Sequence, residues 1–115
     1  MPRLAYRAAS GTDDSFTPRP GKDTLGPKRG LSTFETLDRV PDGRVHAIDL
    51  DLLGPPLQGI PNGGGHVSIV PVTASGEVDD EKLEEWAKYR MTGKRHPYTQ
   101  MVLDARVGED VKGEP

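Results

Sequence analysis

Three short segments of this 115-residue chain predict β-strands, because apolar and polar residues alternate along two of them and, less regularly, along the first. The segments are residues 4–9, 44–50 and 66–72. The last has the clearest alternation, because Val67 and Ile69 fall on one face while His66 and Ser68 fall on the other. Three strands at these spacings indicate a small sheet.

Two helices are predicted in the second half of the chain, and a third, shorter one is predicted in the first half. Asp79 is a good N-cap for a helix over 80–91, in which Leu83 and Trp86 lie on the apolar side. Pro97 suits the first position of a second helix over 97–107. Ser32, with Glu35 three residues later, has the spacing of a capping box and predicts a short helix over 32–37.

The segments between these elements are rich in glycine and proline, with 14 and 11 residues respectively in the whole chain. Residues 10–30 and 51–65 therefore read as long loops, and a loop as long as the first is usually functional or mobile. The tail over 108–115 is charged and is expected to fray. We expect a single domain over 1–115 of the α+β class. Its small twisted, mainly antiparallel sheet would be packed by two or three short helices.

Composition excludes several classes of protein. There is no cysteine, so neither a disulfide framework nor a thiolate metal site is expected. A net charge of -3 argues against a surface wholly adapted to nucleic acid. The apolar runs are too short to cross a membrane, and the first residues lack the apolar core of a signal peptide. We therefore expect action in the cytoplasm, either directly or after secretion into a target cell.

Two familiar kinds of site are not indicated. The chain's histidines, His46, His66 and His96, have no second histidine or carboxylate at metal-ligand spacing, so no metal is expected. There is no Gly-x-Ser-x-Gly sequence and no cysteine nucleophile, which removes the hydrolases that depend on them.

The remaining candidate site combines polar residues from three parts of the chain. An arginine on the first strand has the planar guanidinium that suits a phosphate. A phenylalanine after two hydroxyl residues offers a stacking face with short hydrogen-bonding arms. A histidine and a serine two apart on the last strand share a face. These residues are Arg7, Ser32, Thr33, Phe34, His66 and Ser68.

Structural roles explain the same residues equally simply. Arg7 fits an ion pair at a strand edge, and Ser32 fits a helix cap. Phe34 fits the core, and His66 fits a surface or capping position after the glycines.

The order of these motifs resembles a family of small bacterial effector toxins, delivered by type VI secretion, with an ADP-ribosyltransferase-like fold. The matching segments are Tyr6-Arg7-Ala8, then residues 30–35 (Gly-Leu-Ser-Thr-Phe-Glu), then residues 66–71 (His-Val-Ser-Ile-Val-Pro). The family has a Tyr-Arg-Ala start, a Gly-x-Ser-x-Phe-acidic motif and a His-aromatic-Thr-Ile-x-Pro strand. The likeness covers residues 4–71.

The resemblance implies that NAD is the substrate and that its ADP-ribose is transferred to an unknown macromolecular target. Arg7 would contact the phosphates or the nicotinamide ribose. Ser32, Thr33 and Phe34, together with Tyr6, would hold the nicotinamide end. It makes Arg7, Ser32, His66 and Ser68 the candidate catalytic residues. A toxin of this kind also implies a neutralising immunity protein or antitoxin.

The chain departs from better-known transferases at one point. Those enzymes usually place a glutamate on a late strand to bind a ribose hydroxyl, and residues 66–72 contain none. His66, Ser68 or Gln100 takes its place, or a carboxylate comes from elsewhere, or transferase activity is absent.

Two further functions remain open from sequence. Lys94, Arg95 and His96 lie together and suit a toxin ribonuclease in which His96 is the general acid or base. A histidine that caps a helix explains the same residue. The third class is a non-enzymatic module that binds a protein partner, although aromatic interface anchors are few.

Overall fold

A six-stranded sheet forms the centre of the computed structural model, which describes residues 3–112. The strands are β1 (Leu4–Ala8), β2 (Leu31–Phe34), β3 (Gly43–Asp49), β4 (Leu57–Gly63), β5 (His66–Pro71) and β6 (Arg106–Lys112). Two α-helices follow β5, namely α1 (Asp80–Lys88) and α2 (Pro97–Asp104). The order across the sheet is β4-β5-β2-β1-β3-β6, and neighbouring strands are antiparallel. The α+β class is confirmed.

The strands predicted over 4–9, 44–50 and 66–72 are confirmed as β1, β3 and β5, each within one residue at its ends. Both predicted helices are present but shorter. Asp79 does cap α1, since its carboxylate accepts from the Lys82 amide at 3.1 Å. Helix α1 gives way to a 3-10 turn at Tyr89–Met91.

The helix predicted over 32–37 is wrong, because Leu31–Phe34 is strand β2. Leu31 and Thr33 are buried on one face, and the strand pairs with β1 on one side and β5 on the other. Two sheet partners satisfy the backbone better than a single capping box. Helical turns begin only later, with a 3-10 turn at Leu37–Arg39.

The loop predicted over 51–65 contains strand β4, so that prediction is also wrong in part. Gly59 and Pro61 suggested a loop, yet both suit this position. Proline is tolerated because β4 is an edge strand. Gly59 lies against Leu50, where a Cβ would approach the Leu50 Cδ2 atom to 2.9 Å.

The frayed tail predicted over 108–115 is wrong for residues 108–112, which belong to strand β6 and pair with β3. Residues 113–115 lie outside the described part of the chain. The sequence did not predict this strand because its side chains are mostly charged and exposed. Backbone pairing stabilises it, together with an ion pair between Arg44 and Glu109 at 2.6 Å.

One face of the sheet carries the hydrophobic core, and we call it the core face. Ala5, Leu31, Ile48, Val67 and Ile69 lie on it by strand alternation. The helices contribute Leu83, Trp86 and Val102, all fully buried. The prediction that Leu83 and Trp86 anchor the core is confirmed. No helix in residues 3–112 is both long and apolar enough to span a bilayer.

The segment between β1 and β2 packs onto the core face and is not a free loop. Phe16 is fully buried, and its carbonyl accepts from the Thr99 hydroxyl at 3.3 Å. The same hydroxyl lies 2.8 Å from that of Thr17 and receives the Trp86 indole N–H at 2.9 Å. A buried polar network therefore connects this segment to α1 and α2.

Candidate functional site

The sheet brings the three sequence motifs onto neighbouring strands, because β2 lies between β1 and β5. Tyr6 is opposite Phe34, Phe34 is opposite His66, and Ser32 is opposite Ser68. Residues directly opposite each other on antiparallel strands point to the same side of the sheet. We call the side that carries Tyr6, Ser32, Phe34, His66 and Ser68 the polar face.

Arg7 and Thr33 lie on the other side of the sheet, by the same alternation. Thr33 is fully buried, and its hydroxyl donates to the Val67 carbonyl at 2.8 Å. Its hydroxyl is therefore a structural group in this fold. Five of the seven predicted site residues share the polar face, and these two do not.

Arg7 supports the strands from the core face. Its Nε donates to the Ser15 carbonyl at 2.6 Å, and its Nη1 donates to the Ser32 carbonyl at 2.7 Å. Burial lowers the pKa of Arg7 to about 10, and the nearby Asp23 carboxylate partly opposes the shift. The guanidinium stays protonated at neutral pH and connects β1, the loop over 10–30 and β2.

Ser32 and His66 form the central pair of the polar face. The Ser32 Oγ atom lies 3.0 Å from His66 Nε2. Serine was expected to cap a helix, and instead it stands on β2 with its side chain against β5. A hydroxyl at this distance from an imidazole is within reach for proton sharing.

His66 is held from its other side by Asn62. The His66 Nδ1 atom lies 2.6 Å from Asn62 Oδ1, and the Ser68 hydroxyl donates to the same oxygen at 2.8 Å. Ser68 is also 3.1 Å from the Lys28 carbonyl. Sequence reasoning missed Asn62, since it falls in the segment read as a loop. The available signal was an asparagine followed by three glycines directly before a predicted strand, which is typical of a tight turn.

His66 is buried and carries a lowered pKa. Removal of water from the imidazole is the main cause, and the positive charge of Lys28 adds to it. The ring is therefore neutral at pH 7, so one nitrogen donates and the other accepts. A neutral imidazole can accept a proton or a hydrogen bond.

Aromatic groups border the Ser32–His66 pair. The Phe34 ring meets the His66 ring edge-on, with centroids 5.4 Å apart. A cavity of about 240 Å³ beside Tyr6 is a separate feature, because it is lined by Leu37, Val45, Ala47 and residues of β6 and by neither Ser32 nor His66.

The residues of the ribonuclease hypothesis have structural partners. His96 caps α2, because its Nδ1 accepts from the Tyr98 amide at 3.0 Å. Its ring is buried between Tyr89 and Tyr98. Arg95 forms an ion pair with Asp13 at 2.8 Å, so the positive charge next to His96 is already neutralised within the protein.

Gln100, a candidate for the missing glutamate, has two partners of its own. Its amide accepts from Arg95 at 2.6 Å and donates to Asp104 at 2.8 Å. Both polar atoms of the Gln100 amide group therefore already have hydrogen-bond partners within the protein. Within the described residues, no group of three or more histidine, aspartate and glutamate side chains is placed to hold a metal ion.

Comparison of the chain with protein-family models, with curated proteins and with solved structures gives no significant match.

Proposed function

We propose that the polar face binds the nicotinamide end of NAD, and that the chain is a toxin-like ADP-ribosyltransferase. The observation that carries the proposal is the meeting of two motifs, in which Ser32 Oγ lies 3.0 Å from His66 Nε2 beside the Phe34 ring. Two polar groups next to an aromatic ring suit a planar carboxamide and its ribose.

The antiparallel sheet with two short helices is compatible with an ADP-ribosyltransferase-like type. The order of β1, β2 and β5 supports it further, since each motif of the resemblance lies on one of these adjacent strands. Arg7 has a different part in this proposal from the one expected. It positions the β2 backbone under Ser32, because its Nη1 donates to the Ser32 carbonyl.

In the proposed reaction, the bond between C1′ of the nicotinamide ribose and the ring nitrogen breaks, and nicotinamide leaves with the electron pair. A nucleophilic atom of the target forms the new bond to C1′ and releases its proton. The developing positive charge on the ribose favours nearby acceptors. The Ser32 oxygen, whose hydroxyl is held by His66, supplies such an acceptor where other transferases use a carboxylate. The target is an intracellular macromolecule, and a neutralising protein partner accompanies the toxin.

The first experiment measures NAD binding by saturation-transfer NMR and transfer of labelled ADP-ribose in a bacterial lysate. Ser32→Ala is expected to weaken NAD binding about tenfold, as the loss of one hydrogen bond implies. Ser75→Ala, an exposed serine in a turn, is the matched control and should bind as the wild type does.

Equal NAD affinity for the wild type and Ser32→Ala would contradict this location of the site. No NAD binding by the wild type would contradict the function itself. Inducible expression in a bacterium adds an independent test, because growth without inhibition argues against a toxin and favours a binding module.

A further inference from the structure

Asn62 reaches His66 because of a β-bulge. Pro61 is opposite Val67 and Gly63 is opposite His66, so Asn62 is an extra residue on β4. A bulge leaves its extra residue outside the regular pairing and redirects its side chain. Here the side chain is aimed at β5, where its Oδ1 lies 2.6 Å from His66 Nδ1.

The orientation of the Asn62 amide follows from its second partner. Its nitrogen Nδ2 lies 3.2 Å from the Pro27 carbonyl oxygen, which can only accept. The amide nitrogen must therefore face Pro27, and the amide oxygen must face His66. In this orientation the Ser68 hydroxyl, 3.1 Å from the Lys28 carbonyl oxygen, also lies 2.8 Å from the Asn62 amide oxygen and can donate to it.

An amide oxygen can only accept, so the Nδ1 atom of His66 carries the proton. A neutral imidazole has a single N–H, which leaves Nε2 as an acceptor. The Ser32 hydroxyl, 3.0 Å from Nε2, must then donate to it. Its proton is directed at His66, and its lone pairs remain for another partner.

We propose that Asn62 is a positioning residue that makes Ser32 a hydrogen-bond acceptor, so that the ligand group placed against Ser32 is a hydroxyl or amide donor. The identity of that ligand as NAD rests on the proposed function. The ribose hydroxyls and the carboxamide N–H₂ of NAD are donors of this kind. We call the hydrogen bonds from Ser32 to His66 and from His66 to Asn62 the relay, and their direction does not depend on the identity of the ligand.

Protonation of His66 reverses the relay. Both ring nitrogens then donate, and Nε2–H binds the Ser32 oxygen. The Ser32 proton turns outward, and the serine becomes a donor to the ligand. The groups that face His66 are Ser32 and Phe34 from β2, Asn62 from β4 and the Lys28 ammonium. Burial and Lys28 lower the pKa of His66, so the reversal occurs below its usual value of 6.5.

The direct test is the tautomer of His66, read from long-range ¹H–¹⁵N correlation spectra of histidine-labelled protein without ligand. We expect the Nδ1–H form in the wild type and in Asn62→Asp, whose carboxylate still accepts. Asn62→Ala should move His66 toward the Nε2–H form, which is favoured in a free imidazole. A purely structural asparagine would leave the tautomer unchanged in all three proteins.

NAD titrations of the same proteins over a range of pH form the second test. Asn62→Ala is expected to lose about tenfold in affinity, and Asn62→Asp to retain most of it. The carboxylate of Asn62→Asp should raise the pKa of His66, so its binding should weaken at a higher pH than in the wild type. Gln58→Ala, an exposed amide on the same strand, is the control.

The two tests separate this inference from the proposed function. An Nε2–H tautomer in the wild type overturns the inference, whatever NAD does. A changed tautomer with unchanged NAD affinity in Asn62→Ala overturns the acceptor role of Ser32 and leaves NAD binding intact. Absence of NAD binding with the expected tautomers overturns the proposed function and leaves the relay established.

Discussion

The guanidinium of Arg7 donates to two backbone carbonyls that belong to different segments of the chain, those of Ser15 and Ser32. Its position on the core face gives it a structural part under the site, where sequence reasoning expected contact with a phosphate. Ser32 and His66, by contrast, lie where a ligand site was expected, because their side chains meet on the polar face. At the scale of single residues, strand alternation decides which groups a ligand can reach.

Arg7→Ala is expected to lower the free energy of unfolding by about 3 kcal/mol, since two partly buried carbonyls lose a charged donor. Urea unfolding measures the change. Arg3→Ala, at an exposed position, should leave stability unaltered within about 0.5 kcal/mol. Unchanged stability of Arg7→Ala would contradict this structural role of Arg7.

Among the secondary-structure elements, β2 depends on how the preceding loop enters it. Gly30 has φ +117°, and a Cβ atom there would lie 2.3 Å from Val70 Cγ1 and 2.8 Å from the Ile69 carbonyl oxygen. The close approach sets β2 against β5, and so places Ser32 beside His66. Glycine is required both by the backbone angle and by the neighbouring atoms.

Gly30→Ala is expected to destabilise the fold by about 3 kcal/mol, from backbone strain together with overpacking. Gly21→Ala is the matched control, because Gly21 also has a positive φ, of +77°, but no atom lies within 4 Å of its added Cβ. Its cost should be about 1 kcal/mol. Equal thermal shifts for the two variants would show that crowding at Gly30 contributes nothing.

Part of the secondary structure could be predicted from the sequence pattern. β1, β3, β5 and both helices follow from alternation and helical spacing within the chain. Three strands were not predicted. A capping signal at Ser32 favoured a helix in place of β2, Gly59 and Pro61 favoured a loop in place of β4, and charged side chains favoured a frayed tail in place of β6. β2 and β6 are strands because distant partners pair with their backbones, and local propensity carries no information about those partners. β4 pairs with the next strand of the chain, β5, and that pairing outweighs its content of glycine and proline.

For the whole molecule, the histidines link stability to pH. Burial lowers the pKa of His46, His66 and His96 below the usual 6.5. Below that value the unfolded chain binds protons that the folded protein does not, so the free energy of unfolding falls as pH falls. Among the described residues, His46 also has a buried Nδ1 without a hydrogen-bond partner, 3.6 Å from Glu109.

Urea unfolding between about pH 7.5 and about pH 5.5, where carboxylates remain charged, is expected to show decreasing stability toward the acid end. His46→Gln retains a donor for the Ala9 carbonyl and removes one titrating group. It should therefore show a shallower dependence on pH than the wild type. Parallel profiles for the two proteins would mean that His46 does not contribute to the linkage.

The sequence by itself determined the α+β class, three of the strands, both helices and the anchoring of the core by Leu83 and Trp86. These depend on the spacing of apolar residues along the chain, which is a local property. Only the tertiary structure decided that Ser32 faces His66, that Arg7 and Thr33 point to the core, and that Asn62 completes the site. The reason is the pairing of β2 and β4 with β5, because register and a bulge set the side of the sheet on which each side chain stands.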